Sequence, residues 1–257
     1  MLTSALLMMC MPAAMAETPA GSPVEQGLAI ANKVDAERSG FGTEKASYEL
    51  VLIDADGVTT TREMTYFGAE VEGGEERSRI EITAPADVKG TRLLSWAMAD
   101  KPDSQWLYMP ALGATRRISG GGRTGAFMGS ELSYEDLANS VVAKYSYTFV
   151  EEKQVAGRPS WIYERVPLEK GSGYSKQVVT VDQEYVSPVR IDSFDRKGSL
   201  LKVMTFTGFS QVSGEWRWAQ TDVVNEQTGK KSKVTARGRE LGVAIDAFFF
   251  ESASLED

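Results

Sequence analysis

Beyond Gly40 the apolar side chains fall on alternate residues, segment after segment, with turn residues between them. A two-residue period puts those side chains on one face of a β-strand, whereas a helix needs steps of three and four. Segments 44–54 and 58–67 flank Asp54-Ala55-Asp56-Gly57, a hairpin signal. Further strands are predicted at 76–84, 89–98, 104–110, 143–151, 159–167, 174–183, 187–195, 199–211, 214–226 and 231–242. Asp195-Arg196-Lys197-Gly198, Val212-Ser213-Gly214 and Gln227-Thr228-Gly229 supply the residues that hairpin loops require. Consecutive hairpins give an antiparallel meander, since parallel pairing needs long crossovers. The predicted class is therefore mainly β, and a twisted sheet of about 11–12 strands tends to curl around an enclosed space.

Helical signals are few. Ser22 is a good N-cap and Pro23 suits the first helical position, while Val24, Leu28, Ala31 and Val34 recur at three- and four-residue steps, predicting an amphipathic helix over 23–39. The meander is interrupted at 111–142, where the run from Gly120 to Gly125 leads to Phe127-Met128-Gly129-Ser130. Ser133 with Asp136 resembles a capping box, which predicts a short helix over 133–139. Gly120, Gly122 and Gly125 satisfy G-x-G-x-x-G, but among antiparallel strands they lack the strand-helix-strand setting of a dinucleotide site, and no lysine follows to make a phosphate loop. Two readings of this loop stay open: the hinge of a lid, or a surface loop.

Residues 1–16 carry no charge and run from an apolar stretch into Ala14-Met15-Ala16, the pattern of a cleavable export signal, although no Lys or Arg precedes it. Pro12 interrupts the run, which falls short of the roughly 20 residues of a spanning helix. Met9 before Cys10 is unlike the small residue of a lipidation site, so cleavage is expected after Ala16. The mature chain, 17–257, is then expected to be one domain without cysteine, held by burial and not by disulfides.

Composition removes whole classes of chemistry. Histidine is absent, which excludes Ser-His-Asp catalysis and the usual zinc sites. A net charge of −8, from 36 acidic and 28 basic residues, argues against a nucleic-acid partner. The adjacent carboxylates Glu75-Glu76, Glu135-Asp136 and Glu151-Glu152 would point to opposite faces of a strand, and Ser130 lies in no nucleophile elbow. No catalytic activity, cofactor or metal is expected.

Binding is the remaining signal. Leu94 and Trp96 alternate on one predicted strand, Trp106 and Tyr108 on another, Trp216 and Trp218 on a third, and Phe127 and Met128 add apolar surface from the glycine-rich segment. Such sets fit a filled core or a lined cavity. Arg92, Arg116 and Arg117 fit contacts to an anionic head group or solvated charge at strand ends.

The stretch Lys89-Gly90-Thr91-Arg92-Leu93-Leu94-Ser95-Trp96, then Gln105-Trp106-Leu107-Tyr108-Met109-Pro110, Arg116-Arg117-Ile118, Phe127-Met128-Gly129-Ser130 and Ser133-Tyr134-Glu135-Asp136-Leu137 resembles the outer-membrane lipoprotein-sorting protein family, the LolA-like group of periplasmic proteins. That resemblance implies a half-closed antiparallel barrel with helices over its concave face. It further implies a monomeric periplasmic carrier whose cavity takes a lipid or lipoprotein acyl chains toward the outer membrane. An inner-membrane exporter of the RND/MMPL or Lol type would be the donor. The alternative is a non-enzymatic scaffold or sensor that binds a protein partner.

Overall fold

The computed structural model describes residues 17–71 and 75–257, so the expected export signal and Cys10 lie outside the described residues. The helix predicted at 23–39 forms as α1, Pro23–Arg38. Its capping box is complete: Ser22 Oγ accepts from the Glu25 backbone N–H at 3.4 Å while the Glu25 carboxylate accepts from the Ser22 N–H at 2.8 Å.

The alternating segments pair as thirteen antiparallel strands of one sheet: β1 Thr43–Ile53, β2 Thr59–Val71, β3 Glu75–Ala84, β4 Arg92–Ala97, β5 Ser104–Met109, β6 Ala114–Ile118, β7 Tyr145–Val155, β8 Arg158–Pro167, β9 Tyr174–Asp182, β10 Ser187–Asp195, β11 Leu200–Thr207, β14 Gln220–Asn225 and β15 Lys231–Leu241. A separate ribbon holds β12 Ser210–Val212 and β13 Glu215–Arg217. The strand order is β6-β5-β4-β3-β2-β1-β15-β14-β11-β10-β9-β8-β7. Two meanders thus meet where β1 pairs with β15, with Leu50 opposite Val234.

β6 and β7 follow one another in the chain yet stand at opposite margins of the sheet, so the segment 119–144 must cross the open side. The sheet curls far enough that Leu107 of β5 and Tyr147 of β7 share one core cluster with Ile30 of α1. This is the expected half-closed antiparallel barrel. α1 lies over its concave face, and Gly27 lets it sit directly on β7: a Cβ there would stand 2.8 Å from the Phe149 backbone nitrogen.

The other face is covered as well, over β2–β5. The C-terminal residues form two 3-10 turns, Ala247–Phe250 and Ser252–Leu255, which seat Phe250 and Leu255 against Leu94 with Phe67, Trp96, Trp106 and Tyr108 around them. Polar ties hold this strap: Arg79 donates to the Phe249 carbonyl at 3.0 Å, Arg92 to the Leu255 carbonyl at 2.7 Å and Trp96 Nε1 to the Phe250 carbonyl at 2.8 Å.

Three expectations are corrected. The sheet is wider than expected because β6 forms within the stretch 111–142 predicted as an interruption. Its Arg116-Arg117 pair breaks the apolar alternation, which an edge strand tolerates because one side faces water. No helix follows Ser133. Asp136 accepts from the Ser133 N–H at 2.7 Å as a capping box would require, but the same carboxylate is claimed by buried Lys202 and by Tyr174, and the chain turns back toward β7. The predicted strands 199–211 and 214–226 each break in two, near Gly208, which has a positive φ of 69°, and Ala219, so the β12–β13 ribbon leaves the sheet.

Candidate functional site

Curling leaves a cavity of about 390 Å³ on the concave face, beneath α1 and the crossing segment. Its floor comes from strand positions of one parity: Tyr48 on β1, Met64 and Tyr66 on β2, Ile191 on β10, Met204 and Phe206 on β11 and Val234 on β15. Val34 of α1 and Leu132 and Leu137 of the crossing segment close it from above. The aromatic rings support one another. Tyr48 stacks on Trp218 at 5.7 Å between centroids, Phe206 meets Trp218 at 6.0 Å, and at the rim Tyr185 packs on Trp216 at 4.7 Å and on Phe209 at 4.5 Å. Ring pairs of this kind hold their shape without a ligand to organise them.

Ion pairs fasten the crossing segment to the sheet on either side. Arg123 sits between Asp103 at 2.9 Å and Glu169 at 2.7 Å, and Lys144 also reaches Asp103. Glu135 accepts from Ser172 Oγ and, at 2.8 Å, from the Gly173 N–H. Burial raises the Glu135 carboxyl above its ordinary range, more than these hydrogen bonds lower it. Asp136 behaves in the opposite way. Burial again opposes its charge, but Lys202, the Tyr174 hydroxyl at 2.6 Å and the Ser133 N–H together hold it below the usual carboxylate range. The glycine-rich stretch is a 3-10 turn, Gly120–Thr124, that places the buried Arg123 side chain between its acids.

Further polar groups line the cavity. Arg239 pairs with Glu44 at 2.8 Å and donates to the Tyr48 hydroxyl at 2.6 Å; Arg217 shares the same carboxylate at 3.9 Å. Arg38 pairs with Glu76. Burial raises the phenols of Tyr48 and Tyr66, which therefore stay neutral. Among the described residues no group of three acidic, histidine or cysteine side chains is placed to hold a metal ion, and no described helix is long and apolar enough to cross a membrane.

The residues singled out from sequence divide between the two faces. Trp216 and Trp218 line the cavity. Leu94, Trp96, Trp106 and Tyr108 do not; they stand on the outer face under the C-terminal strap, because register pairs Leu94 with Trp106 on the side opposite Leu93 and Leu107. Phe127 is buried in the core against Tyr134 at 5.9 Å and Met128 packs on the same core; neither lines the cavity. Arg92 is spent on the strap, Arg117 donates to Ser104 at 2.9 Å on the outer side, and Arg116 is exposed. None of the three borders the cavity. Sequence reading missed Tyr48 and Tyr66. The Ala46-Tyr48-Leu50 alternation of β1 was a signal for the first of these.

An open sheet folded over an apolar cavity, with one long helix across it, recurs in solved structures. A LolA superfamily protein from Nitrosomonas europaea has it, with a TM-score of 0.71 and 18% identity over 89% of this chain and 98% of that one. More similar is an outer membrane lipoprotein-sorting protein domain from Vibrio parahaemolyticus, with a TM-score of 0.88 and 34% identity over 91% of this chain and all (100%) of that one. A DUF1329 family protein from Desulfovibrio piger has a TM-score of 0.88 and 29% identity over the same shares, 91% and 100%. The model of a family of uncharacterized proteins matches residues 74–257. No curated protein matches the chain. The chain belongs to the outer membrane lipoprotein-sorting protein family.

Proposed function

We propose that this protein is a non-enzymatic periplasmic carrier, a single domain over 17–257 released from a signal at 1–16, that holds a lipid or the acyl chains of a lipoprotein in the concave cavity. It shuttles that cargo toward the outer membrane as a monomer, receiving it from an inner-membrane exporter of the RND/MMPL or Lol type. The observation that carries the reading is the preformed cavity of about 390 Å³, floored by Tyr48, Met204, Phe206 and Trp218 and roofed by α1. Its size falls in the range of roughly 300–1,000 Å³ typical of small-molecule sites. Each methylene moved from water onto such a surface contributes about 0.8 kcal/mol, so a short length of acyl chain suffices for stable retention. Ion pairs at Arg123 and Asp136 hold the crossing segment over the cavity and keep water from the chain.

The test is to purify residues 17–257 from cells without detergent, weigh the native protein by mass spectrometry and extract it with organic solvent. A mass excess that extracts as lipid is the expected result. A bare mass, with no later uptake of lipid or fluorescent fatty acid, overturns the carrier reading in favour of a protein-binding scaffold.

A further inference from the structure

Arginines line the cavity at five positions: Arg38, Arg123, Arg165, Arg217 and Arg239. Four of them have carboxylate partners, Glu76 for Arg38, Asp103 and Glu169 for Arg123, and Glu44 for both Arg217 and Arg239. Arg165, on β8, forms no ion pair among the described residues although it is only partly exposed. Its hydrogen bonds go to neutral groups: Nε donates to Gln177 Oε1 at 2.8 Å and Nη1 to Ser140 Oγ at 2.9 Å. Gln177 is itself held by donating to Ser193 Oγ at 2.9 Å, and the guanidinium lies 4.6 Å from the centre of the Tyr145 ring.

Five carboxylates share the cavity wall and none pairs with Arg165: Glu37 is exposed near the end of α1, Glu44 pairs with Arg239, and the other three are committed elsewhere. Asp136 is bound by Lys202 and Tyr174, Glu135 by Ser172 and the Gly173 N–H, and Asp103 by Arg123 and Lys144. An arginine withdrawn from water without an anion is unfavourable, and neutral acceptors orient its fork without cancelling its charge. Here Gln177 and Ser140 accept from that fork and the Tyr145 ring lies against it, while Nη2 donates to no described residue. A planar fork with free donors matches a carboxylate or a phosphate.

We propose that Arg165 is an anion subsite of the cavity and that the cargo is an amphiphile whose carboxylate or phosphate head group lies against its guanidinium, with the apolar chain running along the aromatic floor. This rests on the carrier reading and narrows it to anionic cargo. Gln177 and Ser140 act as positioning residues, since they touch the arginine and not the head group.

The experiment measures the affinities of the mature protein for dodecanoate, dodecyl phosphate and dodecanol at neutral pH. Each is read by displacement of a fluorescent fatty-acid probe, for the wild type, Arg165→Gln and Arg165→Lys. At least one anionic amphiphile is expected to bind the wild type about tenfold or more tighter than dodecanol, in keeping with a charge-assisted contact. Whichever anion binds tighter identifies the head-group chemistry. Arg165→Gln is expected to lose the preference while its affinity for dodecanol stays the same, and Arg165→Lys to keep part of it. Equal affinity of the wild type for anion and alcohol overturns the proposal without any variant, and so does a preference that survives in Arg165→Gln. Should the wild type bind none of the three, the carrier reading falls with it; tight dodecanol binding without an anion preference removes the subsite alone.

Discussion

The two faces of the sheet at β1–β5 carry nearly the same chemistry and meet opposite fates. On the outer face Phe67, Trp96, Trp106 and Tyr108 are covered by the chain's own C-terminus, with Phe250 and Leu255 driven into the aromatic surface. On the concave face Tyr48, Met64 and Tyr66 look into an open cavity of about 390 Å³. Apolar surface therefore does not by itself mark a binding site. What marks it is apolar surface that the chain leaves uncovered while bracing its rim with rings and ion pairs.

Variants that separate the faces sharpen this contrast. The largest effects belong to the filled side. Phe250→Ala should cost about 3–5 kcal/mol, as expected for truncating a buried aromatic residue, and urea denaturation checks it. Where that variant stays folded, its lipid uptake should match the wild type. Lys202→Met strips the partner from buried Asp136 and should cost a similar amount, about 3–5 kcal/mol, again read from denaturant midpoints. This pair also sets a pH dependence. Because Asp136 lies below its ordinary range when folded, its contribution is complete above the unfolded-state carboxylate value and fades as pH falls through the folded one. Asp136→Asn should flatten that acid limb in a titration of thermal midpoints.

Smaller changes fall to the helix and the cavity. Gly27→Ala pushes a methyl into the β7 backbone that α1 rests on and should cost about 1–3 kcal/mol, measured in the same way. Val34→Trp fills the cavity from its roof. It should change stability by less than about 1 kcal/mol, the scale for a partly exposed site, yet abolish uptake of a fluorescent fatty acid. A stable Val34→Trp protein that still takes up the probe would place the ligand elsewhere.

Much of this architecture was legible in the sequence because period and turn chemistry are local. Ser22-Pro23 started α1, and Asp54-Ala55-Asp56-Gly57 turned the first hairpin where expected. Which side of each strand is concave was not legible, since alternation is symmetric and both faces of β4 and β5 are apolar. Choosing between Leu93 and Leu94, or Leu107 and Trp106, requires knowing that the last residues of the chain return to cover one side. The same holds for Ser133–Asp136. The local motif formed both its hydrogen bonds, yet as a turn and not as a helix, and its carboxylate is also held by Lys202, which is distant in sequence. Arg165 gave no local signal at all, because what sets it apart is that it forms no ion pair among the described residues.

The most direct measurement is photo-crosslinking of a diazirine-bearing fatty acid to the mature protein, with the adducts mapped by peptide mass spectrometry. Adducts on the concave residues Tyr48, Met204 and Trp218 are expected, with Trp96 and Trp106 unmodified beneath the strap. Labelling concentrated at Trp96 and Trp106, or saturable uptake without adducts on the concave face, would contradict the account.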